Sequence, residues 1–247
     1  MPHTERFDSY IRSGLYYDAI YAVRGKDYER EAEQIHALIQ QHKQSPGATL
    51  LDVGCGTASH LSHLRRCYQV EGLDINATML KVAQAHNPDI PFHQGDMVDF
   101  DLGRQFDIVT CLFSGIGYVQ TVPRLRQTLR TLARHLLPGG VLIVEPWRSP
   151  GDFQPGQIRC VFVDQPDLKI ARMAVTRTDG NLSILDYHYL VATPDGVEYF
   201  TEEHKAGLFL PADYLEAFRS SGLEVIHDAE GLIGRGLYIG KRPLASP

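Results

Sequence analysis

The chain has 247 residues and a formal net charge of −6, with 43% hydrophobic and 22% charged residues. This balance is typical of one globular domain, with or without an insert, and it disfavours a basic face for RNA or DNA. No stretch reaches the ~18 apolar residues of a membrane span, and the polar start Met1–Arg6 is unlike a secretory signal. We therefore expect no nucleic-acid partner and no membrane anchor.

Cysteine and histidine spacing indicates a reduced protein without a structural metal. The four cysteines form no C-x-x-C pair, as is typical of a cytoplasmic protein; they are Cys55, Cys67, Cys111 and Cys160. His60 and His63 lie three positions apart but lack an acidic or cysteine partner, and no HExxH motif is present. We predict a cytoplasmic protein with no metal site.

The first segment, residues 7–24, is rich in aromatic side chains, namely Phe7, Tyr10, Tyr16, Tyr17 and Tyr21. Two interpretations stay open for it: a helix that packs its rings on the core, or a lid over a bound ligand. A helix is predicted next over 27–43, since Ala32, Ile35 and Ile39 fall on one face, and Ser45-Pro46-Gly47 ends it.

Residues 48–146 alternate between strand and helix patterns. The predicted strands are 48–53, 69–74, 91–94, 106–112 and 140–146, and the predicted helices are 58–66, 76–86 and 123–136. Asn76 is placed to cap the second of these helices, and Pro138-Gly139-Gly140 is interpreted as the stop of the third. This alternation predicts an α/β fold with a mostly parallel sheet and helices on both faces.

The strand Ala48–Val53 ends in a glycine turn, Gly54-Cys55-Gly56, and a helix follows. Glycines there let a ligand approach the backbone, and the helix start offers free N–H groups. The next strand ends in Asp74, about 20 residues on, where nucleotide-binding units place the acid that accepts ribose hydroxyls. The turn does not continue as G-x-G-x-x-G, because Thr57-Ala58 follows. This pattern favours a ligand with a ribose and no pyrophosphate.

The pattern changes after Trp147 to β-rich alternation with hairpin signals at Asp179-Gly180 and Asp195-Gly196. Strands are predicted over 158–163, 169–178, 182–192 and 197–208, then a helix over 211–221 and strands over 223–228 and 236–241. We expect a small antiparallel sheet inserted in the parallel one. The predicted division is 1–150 for an N-terminal lid and ligand-binding core, 151–208 for the insert and 209–247 for the part that completes the core. The insert's exposed strand edges hint at a homodimer.

The motifs of the core resemble those of class I S-adenosylmethionine-dependent methyltransferases, which have a Rossmann-like fold. The resemblance is carried, in the family's order, by 52–57 (DVGCGT), Asp74, 95–97 (GDM), 106–111 (FDIVTC) and 136–142 (LLPGGVL). It implies S-adenosyl-L-methionine as cofactor and S-adenosyl-L-homocysteine as product. The alternative is a Rossmann-like domain that binds another ligand.

The resemblance implies a cofactor site built from loops at the carboxyl ends of the strands. Its expected residues are Tyr17, Lys26, Gly54, Gly56, Asp74, Asp96, Met97 and Leu112. Asp74 would accept the ribose hydroxyls, Asp96 would take the adenine amino group, and Met97 would pack on the adenine ring. For Met97 an ordinary core role stays the alternative.

The whole chain, from about residue 10 to 240, looks like the N,N-dimethyltransferases of nucleotide-linked amino sugars, which make the dimethylamino sugars of macrolide antibiotics. The most specific stretches are 144–147 (VEPW), 188–192 (HYLVA) and 234–237 (GRGL). The resemblance implies a dTDP-3-amino sugar, methylated twice on nitrogen, with Tyr10, Trp147 and Arg235 near it. Arg235 between two glycines suits a diphosphate. A core role for Trp147 and a surface role for Arg235 stay open.

Two positions depart from that family. Tyr118 stands where relatives carry a histidine after the fourth strand, and Arg148, counted here with the acceptor site, stands where relatives carry an aromatic residue. The candidate bases are Tyr10, Tyr118, His188 and His204, and none is singled out. Because alignment of donor and acceptor can carry methyl transfer, we expect each single replacement to cost less than ~100-fold in turnover.

Two further function classes stay open on the sequence. One is a methyltransferase for another small amine or hydroxyl, which the Tyr118 departure allows. The other is a protein that binds S-adenosylmethionine without turnover, which intact cofactor motifs do not exclude. The sequence leaves open the position of the amine, the number of methyl groups and the oligomeric state.

Overall fold

The computed structural model describes residues 9–244, so Phe7 of the aromatic segment lies outside the described residues. These residues form eleven strands: β1 Thr49–Val53, β2 Gln69–Asp74, β3 Phe92–Gln94, β4 Phe106–Cys111, β5 Leu136–Val144, β6 Ile158–Gln165, β7 Leu168–Asp179, β8 Leu182–Thr193, β9 Gly196–Gly207, β10 Glu224–Asp228 and β11 Leu237–Lys241. They also form six α-helices: α1 Tyr17–Ala22, α2 Tyr28–His42, α3 Ser59–Leu64, α4 Ala77–His86, α5 Val122–Arg134 and α6 Pro211–Ser220. Single 3-10 turns cover Ser13–Tyr16 and Gly115–Val119.

The larger sheet has seven strands in the order β10-β11-β5-β4-β1-β2-β3, and only β11 runs antiparallel to its neighbours. Helices cover both faces. Leu51 packs in one cluster with residues of α5 and α6, while Leu50 packs in another with residues of α2 and α3. Strands buried on both faces read as continuous apolar runs, which is why β1 and β4 were recognisable. The predicted mostly parallel sheet is confirmed.

The start of β5 differs from the prediction. Helix α5 ends at Arg134, and Pro138-Gly139-Gly140 lies inside β5 instead of stopping a helix. The pairing of β4 with β5 shifts register there. A Cβ on Gly140 would lie 2.9 Å from the carbonyl oxygen of Asp107, so the bulge admits only glycine.

The insert forms a separate antiparallel sheet in the order β6-β7-β8-β9. Its three hairpin loops have two residues each, 166–167, 180–181 and 194–195, and the last two are each within one residue of a predicted turn. The inner face packs on helix α1 through Ile20, Tyr189 and Phe200. The chain then returns to the first sheet, so the predicted insertion is confirmed. The functional division at residues 150 and 208 stays a prediction.

Two capping observations explain how the local sequence starts its helices. The Asn76 side chain accepts hydrogen bonds from the backbone N–H groups of Thr78 and Met79 at 2.8 and 3.0 Å, as predicted. Asp27 caps α2 through Arg30 N–H at 3.0 Å. Asn76 caps α4 two residues after Asp74, so the cap helps to set the end of β2 at the carboxyl edge of the sheet.

Candidate active site

A cavity of about 800 Å³ lies along the carboxyl edge of the parallel strands, within the usual size range of small-molecule sites. Seven of the eight predicted cofactor residues line it: Tyr17, Gly54, Gly56, Asp74, Asp96, Met97 and Leu112. Two predicted catalytic residues, Tyr10 and Tyr118, line it as well. The carboxyl ends of the strands and the N-terminal segment therefore line the same cavity.

The glycine turn forms the floor of the cavity. Gly54 and Gly56 have positive φ values of +73° and +56°, and a Cβ on Gly54 would come within 3.3 Å of the Met97 methyl group. Asp74 ties the turn to the next strand, since its carboxylate accepts the N–H groups of Gly56 and Asn76, each at 2.8 Å. The backbone is thus free to approach a ligand, and the fit to the cofactor is good.

Two buried carboxyl groups face this cavity. Burial raises the pKa of Asp74, although the backbone N–H groups oppose the rise. Burial also raises the pKa of Asp52 to about 7; the Thr110 hydroxyl, 2.7 Å away, opposes this rise and the nearby Asp74 adds to it. Such groups are stabilised by a ligand that brings hydroxyl donors or a positive charge. Asp52 belongs to the first motif, but the sequence alone did not mark it as a site residue.

Asp96 is held in place by its neighbours. One oxygen accepts the N–H of Val98 at 3.0 Å, and the other lies 3.2 Å from the Arg124 guanidinium, which also lines the cavity. Arg124 was missed, because it stands 28 residues away on α5 and no local pattern marks it. The arrangement fixes the carboxylate at the cavity wall next to Met97.

Three predicted candidate bases meet in one hydrogen-bonded chain. The Tyr118 hydroxyl donates to the Tyr10 hydroxyl at 2.9 Å and lies 2.8 Å from Nδ1 of His204. Burial raises the pKa of both tyrosines well above the usual value, so neither ionises near neutral pH. Burial lowers the pKa of His204, which keeps the imidazole neutral there. His204 is 3% exposed and lies behind the two tyrosines.

Glu202 extends this chain and was missed by the sequence analysis. Its carboxylate lies 3.3 Å from Nε2 of His204 and accepts the backbone N–H groups of Tyr10, Arg12 and Ser13 at 2.9–3.3 Å. Burial opposes ionisation, but the hydrogen bonds from His204, Ser13 and the backbone lower the pKa of Glu202 to about 2. The strand period of two, which puts residues 202 and 204 on one face, was the available signal.

His188, the fourth candidate base, lies apart from this group. In β8 the neighbouring Tyr187 and Tyr189 pack inward, and His188 therefore points to the outer face. Its Nδ1 lies 2.6 Å from the Tyr199 hydroxyl at an exposed position. His188 is not among the residues that line the cavity.

Lys26 also lies away from the cavity lining, contrary to its predicted contact with the cofactor. Its ammonium group is buried against the Glu31 carboxylate at 2.5–2.6 Å, and Glu31 in turn lies 2.8 Å from Nε2 of His60. Burial lowers the pKa of Lys26, while Glu31 and Glu145 oppose the shift. The ammonium sits 3.8 Å from the centre of the Phe113 ring. Lys26 thus supports a cavity wall instead of lining the space.

Three of the four predicted acceptor residues lie behind Phe113, which lines the cavity. The Arg235 guanidinium is 5.5 Å from the Phe113 and Trp147 ring centres and donates to the Ser114 hydroxyl at 2.6 Å. The Trp147 indole N–H donates to the Ser183 hydroxyl at 2.8 Å. Arg148 contacts the carbonyl of Asp152 at 3.5 Å. Arg235 and Trp147 are therefore together. These two and Arg148 lie outside the cavity lining, whereas Tyr10, the fourth predicted acceptor residue, is part of it.

Three further arginines extend this region, two on the insert and one just after helix α1. The sequence analysis missed all three. Arg172 is 6% exposed, with its guanidinium 4.8 Å from the Tyr187 ring and 5.9 Å from the Tyr21 ring. Arg24 lies 5.4 Å from the same Tyr21 ring. Burial and the charges of Arg148 and Arg24 lower the pKa of Arg159. Within residues 9–244, none of these arginines has a carboxylate oxygen within 4 Å.

Residues 9–244 show neither a membrane-spanning helix nor a metal-binding cluster. No helix among them is long and apolar enough to cross a bilayer. No group of three or more His, Cys, Asp or Glu side chains in that range is arranged to hold a metal ion.

Comparisons with known proteins agree with this geometry. A profile described as a methyltransferase domain matches residues 50–140. The dTDP-3-amino-3,6-dideoxy-alpha-D-glucopyranose N,N-dimethyltransferase of Streptomyces fradiae is 42% identical over 91% of this chain and 88% of its own. The structure of DesVI from Streptomyces venezuelae has a TM-score of 0.86 at 39% identity, over 93% of this chain and 97% of that one.

A third relative was solved with its cofactor. CalS10, an amino pentose methyltransferase from Micromonospora echinaspora involved in calicheamicin biosynthesis, has a TM-score of 0.82 to this chain at 35% identity. The match covers 92% of this chain and 96% of CalS10, whose structure contains bound S-adenosylmethionine. The protein is therefore an enzyme of the S-adenosylmethionine-dependent methyltransferase family, in the group that contains the dTDP-amino-sugar N,N-dimethyltransferases.

Proposed function

We propose that this enzyme transfers two methyl groups to the amino nitrogen of a dTDP-linked 3-amino deoxysugar. The S. fradiae relative is named for such an acceptor and matches this chain over nearly its whole length. The observation on this chain that carries the proposal is the surface of arginines and aromatic rings that adjoins the cavity through Phe113.

This arginine–aromatic surface consists of Arg24, Arg148, Arg159, Arg172, Arg235, Tyr21, Phe113 and Trp147. Arg172 is the buried member of this set, and a guanidinium without a carboxylate partner is costly to bury, although a protein of net charge −6 has acids available to pair it. A diphosphate would neutralise the guanidinium groups with charge-assisted hydrogen bonds, and Trp147 or Tyr21 offers a ring face for a base or sugar. The chemistry therefore favours a nucleotide-linked acceptor over a free amine.

In this proposal the cofactor occupies the cavity along the strand ends. Asp74 accepts the ribose hydroxyls, Asp96 takes the adenine amino group, and Met97 and Leu112 pack on the adenine. Bound S-adenosylmethionine supplies an activated methyl group. Gly54 and Gly56 admit the donor to close backbone contact, and Tyr17 covers it from the N-terminal segment. The chain's task is to hold the amine in line with that methyl group and to keep it unprotonated.

A mass-spectrometric assay tests the proposal. The enzyme is given S-adenosylmethionine with dTDP-3-amino and dTDP-4-amino sugars, and with plain amines as controls. We expect two successive methyl additions on a dTDP-3-amino sugar and none on plain amines, since these lack the diphosphate. Methylation of the 4-amino sugar alone would show that the acceptor carries its amine at position 4 and not at position 3. Turnover of a plain amine alone would contradict a nucleotide-linked acceptor.

Two other functions predict different outcomes. A methyltransferase for another small acceptor would bind S-adenosylmethionine but not dTDP, and Tyr118 and Arg148 would then be the positions that changed the acceptor. A protein that only binds the cofactor would release no S-adenosylhomocysteine with any acceptor. The arginine–aromatic surface favours neither of them. The four cysteines are unpaired, which supports the proposed cytoplasmic location.

The partner proposed for the insert is a second copy of this chain. The outer face of its sheet exposes apolar side chains on all four strands, namely Ile158, Phe162, Met173, Val175, Leu190, Val197 and Tyr199. Contiguous exposed apolar patches of this kind mark interfaces. The rim carries both charge signs, as in the Asp164–Lys169 pair, so a two-fold copy meets complementary charges.

The dimer is tested by light scattering during size-exclusion chromatography. We expect the native chain to elute at twice its subunit mass, and Phe162→Glu with Tyr199→Glu to elute as a monomer, because a charge there would be buried without a partner. The same replacement at Val23, an exposed apolar residue on another surface, serves as the control. A native monomer at micromolar concentration would contradict the dimer.

A further inference from the structure

We propose that Tyr118 and His204 form a relay that takes the proton from the bound amine, and that Glu202 is the positioning residue of this relay. The inference rests on the proposed function, since it needs an amine acceptor in the cavity. It assigns a role to Glu202, which no sequence motif indicated.

The geometry supplies a continuous path inward from the cavity. Tyr118 lines the cavity, its hydroxyl lies 2.8 Å from Nδ1 of His204, and Nε2 of His204 lies 3.3 Å from the Glu202 carboxylate. Glu202 is 8% exposed and His204 is 3% exposed. A hydroxyl passes a proton on because it can accept one while it donates its own.

The step balances within these groups. Nε2 of His204 carries its proton toward Glu202, so Nδ1 is the free acceptor, and the Tyr118 hydroxyl turns its proton from Tyr10 to Nδ1 before the transfer. An N–H bond of the substrate ammonium then breaks as an O–H bond forms on Tyr118, while the original O–H bond of Tyr118 breaks as an N–H bond forms on Nδ1 of His204. The positive charge moves from the ammonium to the imidazolium, where the ionised Glu202 stabilises it. After the product leaves, the proton returns to solvent through the cavity by the same path.

The charges around His204 favour a neutral acceptor that takes the proton only transiently. Glu202 of β9 raises the imidazole's proton affinity, and Arg172 of β7 lowers it. The other facing groups are neutral tyrosines: Tyr10 at 4.4 Å and Tyr187 at 5.0 Å between ring centres, and Tyr118 in the turn after β4. Burial keeps the pKa of His204 below its usual value, so the relay is ready to accept at about pH 7.

Glu202 also joins the relay to the N-terminal segment. Its oxygens accept the backbone N–H groups of Tyr10, Arg12 and Ser13, and the Ser13 hydroxyl. Those bonds hold Tyr10 over the cavity, although Tyr10 has a left-handed φ of 64° that a non-glycine residue rarely adopts. One carboxylate thus orients the imidazole and fixes the segment that closes the site.

The test compares turnover of a dTDP-amino sugar at about pH 7 and at about pH 9.5 in His204→Gln and Tyr118→Phe. At the lower pH most of an alkylamine arrives protonated and needs the relay, while at the higher pH a larger share arrives neutral. We expect turnover to fall by ~10- to 100-fold at the lower pH and by less than ~3-fold at the higher one. Asp195→Asn, an exposed acid in the loop between β8 and β9, is the control and should change neither.

Equal losses at both pH values, or no loss at either, would overturn the relay. An NMR titration measures the pKa of the His204 imidazole without any turnover. The His204 signal is identified by its absence in His204→Gln. In Glu202→Gln the pKa of His204 should fall, because the stabilising charge is gone; an unchanged value would remove Glu202 from its role. If the native enzyme methylates no dTDP-amino sugar at any pH, the proposed function fails, and the NMR titration still decides whether Glu202 controls His204.

Discussion

Replacing Asp74 by alanine is expected to weaken S-adenosylmethionine binding by at least ~100-fold. The carboxylate holds the N–H groups of Gly56 and Asn76 at 2.8 Å, and its remaining lone pairs point to the cavity. Two charge-assisted hydrogen bonds to ribose hydroxyls are each worth about 1.5–3 kcal/mol, and their joint loss accounts for the expected factor. Isothermal titration calorimetry gives the dissociation constant directly.

A control separates binding from folding in this experiment. Asp89→Ala removes a carboxylate that is exposed and far from the cavity, so it should leave binding unchanged. Asp74→Asn keeps one oxygen for the Gly56 N–H and should fall between the alanine variant and the native enzyme. Native affinity in a folded Asp74→Ala variant would show that the ribose is held elsewhere.

Replacing Arg172 by methionine is expected to weaken dTDP binding by ~10- to 100-fold while it leaves the free protein as stable or more stable. The guanidinium is 6% exposed and, within residues 9–244, has no carboxylate oxygen within 4 Å. Among the described residues, the charged group of Arg172 contacts only aromatic rings and the Tyr189 hydroxyl, so removing its buried charge relieves a desolvation cost, whereas removing a phosphate ligand costs affinity. Opposite signs for stability and binding are the mark of a residue kept for its ligand.

Thermal unfolding measures the stability of the free protein, and a titration with dTDP on the same preparation measures the affinity. Arg219→Met, an exposed arginine on α6, is the control and should change neither quantity. S-adenosylmethionine binding should also persist in Arg172→Met, because Arg172 does not line the cofactor cavity. Lower stability with unchanged dTDP affinity would make Arg172 a structural residue and would remove the main support for a diphosphate acceptor.

We still expect the enzyme to keep turnover when a single candidate base is replaced. Three of the four candidate bases lie in one hydrogen-bonded chain, so a proton has more than one atom to move to. The relay proposal keeps the limit of ~100-fold for each of them and adds a dependence on pH. His188 lies outside the chain, on the outer face of β8.

The cofactor side of the site could be predicted because its information is local. Gly54, Gly56 and Asp74 stand at the ends of adjacent parallel strands, and the carboxyl ends of such strands always meet at one edge of the sheet. Strand and helix periodicity therefore determined the fold class, and five short motifs determined the cofactor. Lys26 shows the limit of this reasoning, since a charged residue next to the lid was placed with the cofactor but is buried against Glu31.

Only the tertiary structure decided what surrounds the acceptor. Glu202, Arg124 and Arg172 sit on separate elements, and the first reaches the backbone of Tyr10 across 192 residues of chain. Their roles depend on how the insert and the N-terminal segment fold over the sheet edge, a packing that no periodicity encodes. The sequence by itself determined a methyltransferase with its donor site at the strand ends. Long-range packing determined which side chains lie beside the cavity, because distance along the chain says nothing about distance across a cavity.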